Sequence, residues 1–249
     1  MGIEIEIREC ETLGEMAECV TLQRDVFALP EGELSPVRHF VVTKNAGGFA
    51  LGAYDGSRLA GFVLSVPAFQ GDERAFYSHM TAVRSEYQSY GVGAKLKCAQ
   101  RKKALSMGVK FIKWTFEPVK ARNAYFNLEK LGATVSEYRP NFYGTDYATA
   151  GQMNKKIGLA SDRLFAEWHL ESPKVQALAA GEKFIDPRTP AVTIEVMNDW
   201  LGMVALDPEA AKTEQTRIRG EFETAFAQGL IGRGFYRNDT HPAYLLYSE

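Results

Sequence analysis

The stretch Gln88-Ser89-Tyr90-Gly91-Val92-Gly93-Ala94 lies between a predicted strand that ends at Val83 and a helix predicted to begin near Gly91. Its two glycines, at alternate positions, remove the side chains that would keep a ligand away from the backbone. The first N–H groups of a helix have no intrahelical acceptor and lie at the positive end of the helix dipole. This stretch, called the glycine turn below, therefore predicts an anion site suited to a pyrophosphate. An empty β–α turn is an about equally good interpretation of the glycines alone.

The residues before the glycine turn predict a mostly antiparallel arrangement. Thr12 and Glu15 have the spacing of a helix capping box, and Asp55-Gly56-Ser57 separates two apolar runs as a hairpin turn does. The predicted elements are a strand over Ile3–Ile7, a helix from Thr12, a shorter helix over Ser35–Lys44, and strands over Phe49–Tyr54, Leu59–Val66 and Ala75–Val83.

The residues after the glycine turn alternate between helix and strand. The predicted elements are a helix ending at Gly108, a strand over Val109–Phe116, a helix over Ala121–Leu131, strands over Ala133–Tyr138, Asp162–Leu170 and Ala191–Val196, a helix over Pro208–Gln228, and closing strands over Leu230–Phe235 and Tyr244–Tyr247. This order predicts an α/β fold, a mixed sheet with flanking helices plus a smaller C-terminal α/β subdomain. The polar stretch Gly144–Gly158 predicts the boundary, so that the domains are 1–147 and 148–249.

Composition excludes several classes of protein. Of the 249 residues, 45% are hydrophobic and 24% charged, which is typical of a chain with a sizeable core, and the net charge of −2 disfavours binding to nucleic acid. The sequence contains no apolar run long enough for a membrane span, and its beginning does not resemble a signal peptide. Three cysteines and four scattered histidines lack metal-ligand spacing. We therefore expect a cytoplasmic protein without a metal site, a membrane or a nucleic-acid partner.

Two other phosphate-binding motifs fail in detail. A Walker A loop would need Lys and then Ser or Thr after Gly93, where Ala94 stands, and a dinucleotide fingerprint would need a third glycine. The glycine turn instead resembles the acyl-CoA-binding motif of GNAT N-acetyltransferases, Gln/Arg-x-x-Gly-x-Gly/Ala, position for position. The order of elements over about residues 1–145 is also similar to that family.

The resemblance implies a function and a set of cofactor-binding residues. It implies transfer of an acetyl or short acyl group from acetyl-CoA or another acyl-CoA to an amine of a small molecule or peptide, without a metal, and leaves a homodimer open. The backbone of Ala82 and Val83 would pair with the pantetheine arm, and the amides of Val92, Gly93 and Ala94 would hold the pyrophosphate. The implied cofactor-binding residues are Ala82, Val83, Gln88, Ser89, Tyr90, Gly91, Val92, Gly93 and Ala94.

The sequence departs from the family in the next helix. The family pattern is Asn-x-x-Ala-x-x-x-Tyr-x-x-x-Gly, in which the tyrosine protonates the departing thiolate. Counted back from Gly132, Ala124 fits, but Leu128 takes the tyrosine position. Asn123 and Asn127 are the candidates to replace the missing asparagine at the cofactor. The usual general acid is therefore absent or relocated, which makes a non-catalytic acyl-CoA-binding or regulatory module the alternative function.

Two residues are candidates for the general base. Glu117 ends a predicted strand near the place where this family holds the acyl group, and His79 lies in the strand before the glycine turn. The alternatives are a solvated turn carboxylate and a histidine bonded across the sheet.

Other residues have two interpretations each. Arg217 and Arg219 are either ligands for a substrate carboxylate or part of a solvated helix face, and Lys95, Arg101 and Lys102 are either near the adenosine phosphate or solvated. The aromatic residues of the second half, Trp168, Trp200, Phe235, Tyr236 and Tyr244 with His169, form either a pocket or the core.

Overall fold

The computed structural model describes residues 4–29, 31–147 and 156–248. They pack into two compact units, one formed by the chain up to Lys113 and the other by the chain from Trp114 onward. This packing boundary lies earlier than the division predicted after Tyr147, and that domain boundary stays a prediction. Most of the predicted boundary segment, residues 148–155, lies outside the described residues, as does Ile3 of the first predicted strand.

The first unit contains the antiparallel strands and the helices that pack on them. Its elements are β1 (Glu6–Glu9), α1 (Leu13–Phe27), a 3-10 turn (Glu31–Glu33), α2 (Val37–Asn45), β2 (Phe49–Asp55), β3 (Arg58–Gln70), β4 (Glu73–Val83), a 3-10 turn (Ser85–Tyr87), α3 (Val92–Ser106) and the beginning of β5 (Phe111–Phe116). The predicted capping box is present, since the Thr12 side chain accepts from the Glu15 N–H and the Glu15 carboxylate accepts from the Thr12 N–H.

The strands of this unit are ordered β1-β2-β3-β4-β5. Strands β1 to β4 are antiparallel neighbours, and β5 is parallel to β4. The parallel pairing consists of Phe76 with Ile112 and Tyr77 with Lys113. Beyond Tyr77, β4 continues from Ser78 to Val83 with its partners in β3, and this segment is called the splay below. The mixed sheet predicted from the sequence is confirmed.

The second unit is an antiparallel sheet with helices. It contains the end of β5, α4 (Ala121–Tyr125), a π-helical turn (Phe126–Lys130), β6 (Thr134–Arg139), β7 (Arg163–His169), α5 (Pro173–Ala179), β8 (Val192–Glu195), α6 (Trp200–Leu206), α7 (Pro208–Ala227), β9 (Ile231–Tyr236) and β10 (Ala243–Tyr247). Its strands are ordered β7-β6-β9-β10-β8. The large side chains Trp168, Phe222 and Tyr244 are almost completely buried and form its core.

The helix predicted over Ala121–Leu131 differs from what the structure shows. Its second half is a π-helical turn, in which the N–H of Leu131 donates to the carbonyl of Phe126, five residues back, at 3.1 Å. A π-helical turn holds more residues than an α-helical turn, so the α-helical spacing rule does not hold across it. No helix among residues 4–29, 31–147 and 156–248 is long and apolar enough to cross a membrane.

Candidate functional site

The segment that joins β4 to the glycine turn is anchored to the rest of the first unit by two side chains. The Arg84 guanidinium donates to the carbonyl of Leu59 at 2.8 Å and pairs with Asp25 at 3.0 Å. The hydroxyl of Tyr87 donates to Asp55 at 2.8 Å. These bonds tie the turn to β2, β3 and α1, so that the backbone after Tyr87 begins from a fixed position.

Three residues of the glycine turn shape the beginning of α3. The Gln88 side chain donates to the carbonyl of Val83 at 3.1 Å and so closes the turn onto the end of β4. Ser89 and Gly91 both have left-handed backbones, with φ of +68° and +78°. Gly91 is the N-cap of α3 and contributes no side-chain hydrogen bond to it. The chain therefore enters the helix abruptly, with open space beside the cap.

The first amides of α3 point out of the helix beginning. The first intrahelical bond runs from the Lys95 N–H to the Gly91 carbonyl at 3.0 Å, so the N–H groups of Val92, Gly93 and Ala94 have no acceptor within the helix. The first turn of α3 contains no acidic residue. This is the geometry of an anion site. The cofactor-binding role of these residues stays a prediction.

The predicted strand end is also where the sequence placed it. Ala82 pairs with Phe62, and Val83 with Gly61, on the β3 side. Both residues belong to the splay, where the parallel pairing with β5 has already ended at Tyr77.

The imidazole of His79 is held on the side of the sheet that carries α2. Its Nε2 lies 2.9 Å from the hydroxyl of Ser35, and its ring packs edge-on against His39 with the centroids 5.3 Å apart. Gln23 fixes Ser35 through both backbone groups, at 2.9 and 3.1 Å. Burial and the neighbouring His39 lower the pKa of His79 below its usual value, so the ring is neutral at pH 7. A neutral imidazole with an exposed edge can accept a proton.

Glu117, the other candidate base, already has two cationic partners within the second unit. Its carboxylate lies 2.8 Å from Lys120 and 3.3 Å from the buried Arg163. It also lines a cavity of about 20 Å³, room for roughly one water molecule, beside Asp162 and Gln215. To take a proton from a substrate, this carboxylate would first have to weaken two ion pairs.

The helix that departs from the family pattern has a leucine at the family's tyrosine position, and its own tyrosine is Tyr125. Leu128 is completely buried, and Asn127 is buried beside it in the π-helical turn, whereas Asn123 is exposed. The Tyr125 ring lies between two cations, with Lys130 at 5.5 Å and Arg237 at 5.3 Å from its centroid. The roles of Asn123 and Asn127 at a cofactor stay predictions.

The structure also contains a buried polar cluster that sequence reasoning missed. The amine of Lys97, whose residue is only 3% exposed, donates to the Ser78 hydroxyl and to the Gln100 side-chain oxygen, both at 2.9 Å. Gln100 donates in turn to Ser65 at 2.8 Å and to Ser78 at 3.1 Å. These four residues are called the lysine cluster below. Helical spacing with buried Ala104 was the available signal, because Lys97, Gln100 and Ala104 lie at i, i+3 and i+7.

The other predicted sets are resolved by burial and pairing. Trp168, Trp200, Phe235 and Tyr244 are core residues, while His169 and Tyr236 are exposed. Arg219 pairs with buried Asp162 at 2.9 Å, and Arg217 pairs with Glu214 and Glu221, both at 2.6 Å. The interpretation of these arginines as ligands for a substrate carboxylate gains no support. Lys95 and Lys102 are exposed on α3.

Comparison with known proteins gives a likeness of fold. No family model matches the chain, and no curated protein matches it. Among solved structures, an N-acetyltransferase from Staphylococcus aureus Mu50 matches with a TM-score of 0.54 at 12% identity, over 68% of this chain and 99% of that one. The NatC complex bound to Gag peptide and CoA gives 0.53 at 14%, over 67% and 99%. Aminoglycoside 6'-acetyltransferase type Ii gives 0.51 at 18%, over 67% and 98%. The chain therefore has the fold of the GNAT N-acetyltransferases, as the resemblance of its glycine turn implied.

Proposed function

We propose that the protein is an acyl-CoA-dependent N-acyltransferase that moves an acetyl or short acyl group to an amine. The observation that carries this proposal is the glycine turn. A sequence that resembles the acyl-CoA motif stands at the end of β4 and leaves the N–H groups of Val92, Gly93 and Ala94 directed out of the beginning of α3. A pyrophosphate is the anion that this motif binds in the GNAT family, and the fold supports the assignment.

The chemistry that follows needs alignment and proton transfer. A thioester is already activated, so the protein has to orient the amine, remove its proton and stabilise the oxyanion of the tetrahedral intermediate. We assign the oxyanion to a backbone N–H of the splay near Val83, beside the pantetheine arm along Ala82 and Val83.

We assign the general base to His79 rather than Glu117. His79 is neutral near pH 7, is oriented by Ser35 and has an exposed edge, whereas Glu117 is engaged by Lys120 and Arg163. His79→Gln should lower kcat/KM by about 10²–10⁴-fold without weakening CoA binding. Glu117→Gln should not show such a loss of kcat/KM with unchanged CoA binding. The pKa of His79 is lowered, so protonation of this base should reduce activity only below about pH 6.5. Activity should therefore rise with pH in that range and stop depending on His79 above it.

The acceptor is proposed to be a small-molecule or peptide amine. Two of the proteins with this fold are described by an aminoglycoside and by a bound peptide, which are both amine-bearing classes. The alternative function, a non-catalytic acyl-CoA-binding module, is motivated by Leu128 at the tyrosine position. Both functions predict CoA binding, but only the enzyme releases free thiol from acetyl-CoA when it is offered a panel of amines, amino acids and peptides.

Calorimetry with acetyl-CoA tests the proposal directly. Gly93→Asp should abolish binding, because it adds a negative charge at the pyrophosphate and disturbs two or three contacts, each contributing about 1.5–3 kcal/mol. Gly91→Asp should weaken binding for the same reason. Gly71→Asp is its matched control, because Gly71 also has a positive φ (+56°) and open space beside it, in the β3–β4 hairpin. Equal affinity of wild type and Gly93→Asp would refute the assignment.

A further inference from the structure

His79 is the extra residue of a β-bulge in β4. Strand β3 pairs Leu64 with Met80 and Ser65 with Ser78, so β4 advances by two residues where β3 advances by one. Because of the bulge, His79 has no directly opposite residue in β3. A bulge of this kind redirects a side chain and is over-represented beside active sites. Ser78 of the lysine cluster is buried, whereas the adjacent His79 is exposed on the side that carries α2.

The serine that contacts this ring is itself held in place. Gln23 is completely buried in α1, and its side-chain amide accepts from the Ser35 N–H at 2.9 Å and donates to the Ser35 carbonyl at 3.1 Å. Pro36 follows Ser35 and disfavours a helical backbone there, which removes another source of freedom. The Ser35 hydroxyl therefore starts from a fixed backbone where it contacts the Nε2 of His79 at 2.9 Å.

The two ring nitrogens of His79 differ in what they contact. Nε2 has the Ser35 hydroxyl, whereas Nδ1 has no hydrogen-bond partner among residues 4–29, 31–147 and 156–248. His39 packs edge-on against the ring, with no hydrogen bond between the two imidazoles. Nδ1 is therefore the nitrogen that is left for an acceptor amine.

The direction of the Ser35 bond decides which nitrogen can accept a proton. The ring is neutral at pH 7, because burial and His39 lower its pKa, and a neutral imidazole carries one N–H and one lone pair. With the proton on Nε2, the Ser35 oxygen accepts it and the Nδ1 lone pair is free. With the proton on Nδ1, the only lone pair of the ring is already bonded to the Ser35 hydroxyl. Only the first arrangement combines a held ring with an available base.

We propose that Ser35 is a positioning residue, which accepts the Nε2–H bond of His79 and so leaves the Nδ1 lone pair for the proton of the acceptor amine. The inference rests on the proposed acyl transfer. The amine nitrogen forms the C–N bond and loses its proton to Nδ1, and the C–S bond breaks with its electron pair on sulfur. The resulting imidazolium still donates from Nε2 to Ser35, in a bond that its charge strengthens. Nδ1 then returns its proton to solvent, and the thiolate takes one from solvent.

The tautomer of His79 can be measured by ¹⁵N NMR, which distinguishes a nitrogen that carries a proton from one that does not. The signals are assigned by their absence from His79→Gln. At about pH 8, where the ring is neutral, wild type should carry the proton on Nε2. Ser35→Ala should show a mixture of both tautomers, and Ser35→Thr, which keeps a hydroxyl, should restore the wild-type signals. A serine with a merely structural role would leave the tautomer unchanged.

Steady-state kinetics with acetyl-CoA and the most active amine of the panel measure the consequence. Ser35→Ala should lower kcat by about tenfold, because the ring loses its orientation, and should leave the KM for acetyl-CoA unchanged. Ser35→Thr should keep kcat within about twofold of wild type. Ser106→Ala is the matched control, because the Ser106 hydroxyl donates to the Lys103 carbonyl at 2.8 Å at the end of α3. It should change neither kcat nor the tautomer.

Three results would overturn the inference. They are a wild-type His79 whose proton lies on Nδ1, a Ser35→Ala variant with an unchanged tautomer, and a Ser35→Ala variant with mixed tautomers but unchanged kcat. The wild-type spectrum alone decides the first, so the test does not depend on the folding of a variant. Absence of thiol release by wild type would instead contradict the proposed function, and the spectrum would still report the tautomer.

Discussion

Two buried charged side chains, Asp162 in the second unit and Lys97 in the first, are held in opposite ways. Asp162 accepts two bonds from Arg219, at 2.9 and 3.0 Å, one from the Tyr138 hydroxyl at 2.7 Å and one from the Asn141 N–H at 2.9 Å. Lys97 donates to the neutral oxygens of Ser78 and Gln100.

The two side chains differ in their partners, which are the cation Arg219 for Asp162 and neutral oxygen atoms for Lys97. A counter-ion with several donors stabilises the ionised form of a buried carboxylate and makes it a fixed part of the structure. Neutral dipoles compensate a buried ammonium incompletely, so it lies close to losing its proton. We infer that the first arrangement contributes to stability, while burial of the Lys97 amine lowers it.

The largest expected effect comes from removing the paired carboxylate. Asp162→Ala should lower the free energy of unfolding by about 3–5 kcal/mol, because Arg219 is left without its buried partner. Glu209→Ala is the control, since Glu209 is 80% exposed and pairs with Lys212 on the same unit, and it should cost less than about 1 kcal/mol. Urea unfolding measures both free energies. Similar losses for the two variants would contradict the stabilising role of the buried Asp162.

Replacing the lysine should have the opposite sign. Lys97→Met should raise the free energy of unfolding at pH 7 by about 1–4 kcal/mol, because an apolar side chain of similar length avoids the desolvation of the ammonium. Gln100 already donates to the Ser78 hydroxyl at 3.1 Å, so we expect both side chains to keep a partner in this variant. A destabilised Lys97→Met would indicate that the amine is a structural element, like Asp162.

One hydrogen bond to the carboxylate can be removed while its ion pair remains. Tyr138→Phe deletes the hydroxyl that donates to Asp162 and should cost about 1.5–3 kcal/mol, the range for bonds to charged groups. Thermal unfolding compares it with Asp162→Ala. If Tyr138→Phe lowered the free energy of unfolding as much as Asp162→Ala, the hydroxyl rather than Arg219 would be the main stabilising partner of Asp162.

The effect that is smallest for each step of the measurement is a pH dependence of stability. The unfolded chain has a lysine pKa of about 10.4, whereas the pKa of Lys97 in the folded protein is about 7. Between these values the unfolded state binds more protons, so wild-type stability should rise with pH by about 1.4 kcal/mol per unit relative to Lys97→Met. Groups shared by both proteins cancel in the difference. Parallel curves from pH 7 to 10 would contradict the lowered pKa.

Local sequence was enough for much of the fold. The capping box at Thr12, the hairpin at Gly56 and the helix beginning at Gly91 each depend on residues within a few positions of one another. The π-helical turn at Phe126–Lys130 was not predicted, because its residues favour an α-helix locally and nothing in the spacing signals the extra residue.

Part of the candidate site could likewise be predicted from local sequence, and part could not. The glycine turn could be predicted because a motif, a strand end and a helix beginning are contiguous in the chain. The bond between His79 and Ser35 joins residues 44 positions apart, and Lys97 reaches Ser78 across 19 positions. No local pattern contains such pairs.

The sequence by itself therefore determined where the chain turns and caps its helices and where it leaves backbone amides for an anion, since these properties follow from neighbouring residues and backbone sterics. The tertiary structure alone decided which polar side chains are desolvated and what faces them. Packing α2 on one side of β4 and α3 on the other gave His79 and Lys97 their lowered pKa values, because desolvation depends on every element that surrounds a group.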